Sequence, residues 1–103
     1  MTKFLALRST PIVGLYFRPA ETKDWLAANI DDLPPLTLER DPTNEHDTLA
    51  IKVMAGEYHL GFIPKTINPL LATLMDNGHG TEVNLTGFNP KKPEIEVYVI
   101  TPS

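Results

Sequence analysis

The residues best equipped for chemistry lie together in one run: Arg40-Asp41-Pro42-Thr43-Asn44-Glu45-His46-Asp47-Thr48-Leu49-Ala50-Ile51-Lys52-Val53. Ionised Asp47 is acceptor-only, so it can take a hydrogen bond from a ligand hydroxyl but none from a phosphodiester. The same carboxylate could instead close an Asx-type turn on backbone N–H groups, and both readings stand at this stage. Asn44 and Pro42 suit loop-shaping roles. Arg40 has the fork of donors needed to pair with Asp41 or Asp47 and fix the loop. Asp41, Glu45 and Asp47 could suggest a Mg²⁺-dependent nuclease. No lysine or second carboxylate motif completes such a site, and turn formation explains the acids. His46, His59 and His79 lack metal-ligand spacing. Neither serine nor threonine sits in a nucleophile motif. The expectation is a binding protein with no catalytic residue, metal or cofactor.

Candidate ligand contacts outside this run are Tyr16, Phe17, Arg18 and Lys65. Exposed aromatic rings can stack on bases, and cations beside them can hold phosphates. Lys91-Lys92, between two prolines, forms a basic loop tip. These cations are few. Nine Lys and Arg against thirteen Asp and Glu give a net charge of −4. A sequence-blind DNA coater is normally basic, so any nucleic-acid contact must be local to one face.

The elements that must position these residues are short. Ten prolines and six glycines divide the chain into pieces suited to strands and turns. With 42% hydrophobic residues and 21% charged, the composition is that of a globular chain and argues against disorder. A length of 103 residues suits one domain, spanning 1–103. Without cysteine, disulfides and thiolate metal sites are excluded, which fits an intracellular, cytoplasmic protein. The apolar run Phe4 to Leu7 is too short for a membrane span or a signal-peptide core. It reads as an N-terminal strand or tail, with no membrane partner.

Thr10 to Arg18 reads as a strand, with Val13, Leu15 and Phe17 on one face and Ile12, Gly14, Tyr16 and Arg18 on the other. This parity buries Phe17, exposes Tyr16 and places Arg18 beside Tyr16. A β-bulge near Gly14 would alter that assignment. Thr22 to Leu33 has helical spacing of Trp25, Leu26, Ile30 and Leu33, with Asp24 as a possible cap and Pro34-Pro35 as its end. Strands follow at Leu36–Arg40, Leu49–Val53 and Tyr58–Ile63, with a turn at Gly56. Asn68 can cap a helix whose first turn holds Pro69, whose stripe is Leu70, Leu71, Leu74 and Met75, and whose end is Asn77-Gly78. Thr81–Gly87 and Glu94–Thr101 are the last strands. The fold class is mainly β (α+β): six short strands, one main helix and a short helical insert, curled into a small, partly open barrel.

The run from Arg40 to Val53 has the pattern Arg-x-Pro-x-Asn-x-x-Asp-x-x-Ala-apolar-x-Val. Leu60-Gly61-Phe62-Ile63-Pro64-Lys65 and the segment from Leu70 to Gly78 follow it, and Ile12-Val13-Gly14-Leu15-Tyr16-Phe17 precedes it, an apolar pair followed by glycine and aromatics. Together these resemble the HIRAN domain family over roughly residues 10–100. The resemblance implies a six-stranded OB-like barrel with flanking helices. It also implies capture of single-stranded DNA at free 3′-hydroxyl ends, in DNA repair or replication. Family members occur fused to remodelling ATPases and helicases, and as free-standing bacterial and phage proteins; this length leaves no room for an ATPase. Asp47 falls on the family's hydroxyl-reading Asp, Lys65 on a phosphate-contacting Lys and Phe17 on a stacking aromatic. His46 stands where the family has a second stacking aromatic. Tyr16 stands where it has a phosphate-binding Arg, a charge that Arg18 could supply, and Leu49 replaces a common Asn. The alternative reading is a protein-interaction module that engages a host factor or a DNA-processing partner, with little or no DNA binding.

Overall fold

The structure, a computed structural model, describes residues 2–102. Six strands and two helices follow in the order β1 (Thr2–Pro11), α1 (Ala20–Asn29), β2 (Leu36–Arg40), β3 (Ile51–Ala55), β4 (Tyr58–Phe62), α2 (Asn68–Asp76), β5 (Gly80–Gly87) and β6 (Glu94–Thr101). The strands form one antiparallel sheet in the order β1-β6-β5-β2-β3-β4. The architecture is mainly β, as the patterning and the resemblance imply. Inward positions alternate along the central strands. Ile95, Val97 and Val99 of β6 and Ile51, Val53 and Ala55 of β3 are fully buried. β2 and β5 share a single register pair, Leu36 with Val83, so the sheet is thinly joined there.

The sheet curls until its last strand meets the chain leaving its first. Val13 donates N–H to the Phe62 carbonyl at 2.9 Å and accepts from the Phe62 N–H at 2.8 Å. This reciprocal pair, typical of antiparallel neighbours, closes the barrel between β4 and the segment after β1. Gly61 makes the approach possible. Its φ is +151°, and a Cβ there would stand 2.4 Å from the Val13 carbonyl oxygen and 2.8 Å from Ile12 Cγ2. Only glycine fits both the backbone angle and the contact.

The strand expected over Thr10–Arg18 is not formed. β1 lies earlier, over the run expected as an N-terminal strand or tail, and ends at Pro11. Gly14 turns the chain at φ +84° into a 3-10 turn over Leu15–Phe17. Arg18 then adopts φ −76°, ψ 159°, the extended conformation a following proline imposes. Period-two parity therefore does not apply to Tyr16, Phe17 and Arg18. The insert helix also starts earlier than expected. α1 begins after Pro19, so Asp24 is an interior residue and not its cap. Leu26 anchors α1 at zero exposure, a burial that contributes about 2–3 kcal/mol. Trp25 stacks on Tyr58 of β4 with ring centroids 4.1 Å apart and planes 10° apart. The end of α2 is as expected, with Gly78 N–H bonded to the Met75 carbonyl at φ +89°.

Gly61→Ala should lower the unfolding free energy by about 3 kcal/mol, because rigid backbone must move to relieve the clash. Gly78→Ala, where a Cβ meets nothing within 4 Å, should cost only about 1 kcal/mol of backbone strain. Urea unfolding of both variants measures the difference. Equal losses would contradict the closure described here.

Candidate nucleic-acid interface

The loop between β2 and β3 is built by its own polar side chains. The Asn44 side-chain oxygen accepts the backbone N–H groups of His46 at 2.8 Å and Asp47 at 3.1 Å, while its amide donates to Asp41 Oδ2 at 3.1 Å. Asn44 is thus the loop-shaping residue its type suggests. Arg40 clamps the loop from outside, though not by pairing with Asp41 or Asp47 as its position suggests. Its guanidinium donates to the carbonyls of Ala50 at 2.7 Å and Thr48 at 3.1 Å, and to both carboxylate oxygens of Asp76 on α2 at 2.9 and 3.2 Å. One side chain ties the loop to the helix, a task for Arg's planar fork and not for a single ammonium.

Asp47 sits at the end of this scaffold. Its Oδ1 accepts the Leu49 backbone N–H at 2.9 Å, the expected Asx-type turn. Its Oδ2 accepts the Asn68 side-chain amide at 2.8 Å. An ionised carboxylate has about four acceptor positions, so these two bonds leave lone pairs free. The Asn68 amide, then the Leu49 N–H, hold the Asp47 carboxyl below the ordinary aspartate range. Burial opposes these two bonds, and the charges of Lys65 and then Arg40 add smaller lowering effects.

Asp47 lines a pocket of about 230 Å³ with Val13, Asn44, His46, Phe62, Lys65 and Asn68 among its walls. Three of the sequence candidates, His46, Asp47 and Lys65, therefore converge. His46 and Lys65 are exposed. The barrel closure supplies Val13 and Phe62 as the pocket's apolar wall. His59 backs Phe62 edge-on at 4.8 Å. Burial, then the charge of Arg18, lower the His59 pKa, and the Gly61 carbonyl requires its Nε2 to be the donor.

Tyr16 and Phe17 do not line this pocket. They stand on the 3-10 turn that Gly14 starts directly after Val13, at 80% and 84% exposure, with rings edge-to-face at 5.3 Å. Both are exposed, so the expected burial of Phe17 is corrected: the turn, not strand parity, sets its direction. Lys23 of α1 donates to the Tyr16 carbonyl at 3.1 Å and lies over the Tyr16 ring. Tyr16, Lys23 and Lys91 share a second depression of about 430 Å³, lined also by Leu15 and Ala27. Arg18 is turned back, donating Nε to the His59 carbonyl at 2.8 Å, and joins neither group. Its expected place beside Tyr16 fails with the strand.

Two contributors escape a sequence reading. Asn68 looks like a helix cap, but it opens α2 from within the helix and reaches Asp47 instead. Lys23 looks like a solvated helix charge until the fold sets it against Tyr16. Among the described residues, no three His, Asp or Glu side chains gather as a metal cage, and no helix is long and apolar enough to cross a membrane.

The HIRAN domain model matches residues 7–99. The crystal structure of a protein from Lactobacillus plantarum superposes with a TM-score of 0.75 at 23% identity, covering 95% of each chain. The crystal structure of the HIRAN domain of human HLTF superposes with a TM-score of 0.67 at 22% identity, covering 95% of this chain and 80% of that one. At these identities the superpositions speak to the fold. A search of curated proteins finds no match.

The Asp47 carboxyl should titrate below the ordinary value of 3.8. Because its folded-state pKa is depressed, its contribution to stability is full above the unfolded value. That contribution is lost as pH falls through the folded value. Carboxylate NMR titration measures this. A midpoint at or above 3.8 would contradict the hydrogen-bond assignment.

Proposed function

The chain belongs to the HIRAN domain family, a family of DNA-binding domains, and on that premise we propose that it binds single-stranded DNA at free 3′ ends. The observation that carries this reading is the Asp47 carboxylate. It is held ionised, with acceptor capacity to spare, in a pocket flanked by an exposed Lys65 and His46. A terminal 3′-hydroxyl has a proton to donate to such a group. A terminal phosphate is mostly dianionic at neutral pH, has little proton to offer and meets charge repulsion. Lys65 holds a backbone phosphate near the end. His46 stacks on the terminal base from the loop side. Phe17 and Tyr16, exposed on the turn that follows the pocket wall, offer ring faces to bases as the strand leaves. Arg18, with its Nε committed to the His59 carbonyl, buttresses that turn and adds positive potential to it.

The acidic net charge fits a module that reads an end and does not coat DNA. Few phosphates are contacted, so the salt dependence should be shallow, with a slope near −0.7 per phosphate on a single strand. The setting is DNA repair or replication, where free 3′ ends arise. The second reading, docking of a DNA-processing protein, rests on Phe4, Leu5 and Leu70, exposed along the groove between β1 and α2.

Fluorescence anisotropy with short oligonucleotides at low salt tests the proposal. A 3′-hydroxyl end should bind about ten- to a hundredfold tighter than a 3′-phosphate end, the range of one charged hydrogen bond. Asp47→Asn should abolish most of that preference, because the neutral amide accepts weakly and repels no phosphate. Equal affinity for both ends, or no binding, would overturn end recognition.

A further inference from the structure

Asn68 is 2% exposed, yet its side-chain oxygen Oδ1 has no hydrogen-bond partner among the described residues. The hydrogen bond its amide donates goes to Asp47 Oδ2 at 2.8 Å. A buried amide oxygen left unpaired weakens a fold, and a leucine, with the same branching of heavy atoms, in the first turn of α2 would avoid that loss. Asn68 therefore has a stability disadvantage where it stands, and the one side-chain hydrogen bond it makes among the described residues is to the candidate ligand-reading group. Leu49 N–H secures only Oδ1 of that group. With Oδ1 alone held, the carboxylate can rotate about its Cβ–Cγ bond. With Asn68 on Oδ2 as well, the carboxylate plane is fixed and its free lone pairs keep one direction. Arg40 steadies the pair from behind, because it joins the same loop to Asp76 at the other end of α2.

We propose that Asn68 is a positioning residue, holding Asp47 in the orientation that discriminates a terminal hydroxyl from a terminal phosphate at the expense of fold stability. This rests on the end-binding reading above and names what sets its selectivity.

The test uses the whole chain with Asn68→Leu and Asn68→Ala. The second variant is small and helix-favouring, and guards against overpacking by the first. Three quantities are measured: the melting temperature, the affinities for 3′-hydroxyl and 3′-phosphate oligonucleotides, and the Asp47 titration midpoint. Asn68→Leu should melt at or above the parent temperature. Affinity for the hydroxyl end should fall about tenfold while that for the phosphate end stays within about twofold, as expected when one charged hydrogen bond is misaligned. The Asp47 midpoint should rise towards its ordinary value in both variants. Undiminished discrimination in a folded variant would overturn the proposal. Parallel loss of both affinities together with melting temperature would also overturn it, because that marks a merely structural role. If the parent shows no end preference, end recognition fails. The proposal falls with it, whereas a parent that discriminates beside variants that discriminate equally well overturns the proposal alone.

Discussion

Closure of the barrel at Val13 and Phe62 is the constraint on which the rest depends. Two backbone hydrogen bonds join the segment after β1 to β4, and Gly61 allows the approach by having no Cβ. The consequence reaches the surface. Closure makes Val13 and Phe62 one wall of the pocket that holds Asp47. It also fixes the start of the 3-10 turn that lifts Tyr16 and Phe17 into solvent. A sheet of the same strands left open at this point would separate the aromatic turn from the acidic loop.

The second layer of organisation is polar and local. Arg40, Asn44 and Asn68 all hydrogen-bond to one loop, and none of these contacts requires an overall basic surface. The net charge of −4 is therefore compatible with binding an anion through its end. What matters within a Debye length of Asp47 is the placement of Lys65, and beside Tyr16 that of Lys23 and Lys91. On the reading proposed above, exposed cations set encounter and salt sensitivity, while the half-buried carboxylate sets which end is accepted.

Much of this was legible in the sequence, for identifiable reasons. The alternation Ile95, Val97, Val99 marks a strand with one buried face, and Asn68-Pro69 with Asn77-Gly78 brackets α2, because both signals are local. The family pattern rests on Asn44, Asp47 and Gly61, whose types are dictated by turn chemistry and close approach. The apolar run from Ile12 misled, because Val13, Leu15 and Phe17 imitate a strand while Gly14 and Pro19 impose a turn. Likewise, Arg40 looked towards its neighbours in sequence, whereas its partner Asp76 lies on the packed helix. Such contacts depend on tertiary placement, which spacing along the chain does not encode.

The most direct measurement is a chemical-shift map of the ¹⁵N-labelled chain titrated with a short oligonucleotide ending in a 3′-hydroxyl. The largest perturbations should fall on His46, Asp47, Leu49, Lys65 and Asn68, and continue onto Tyr16 and Phe17. Perturbations confined to β1 and the exposed face of α2, or absent at low salt, would contradict the assignment of this pocket and its aromatic turn as the binding surface.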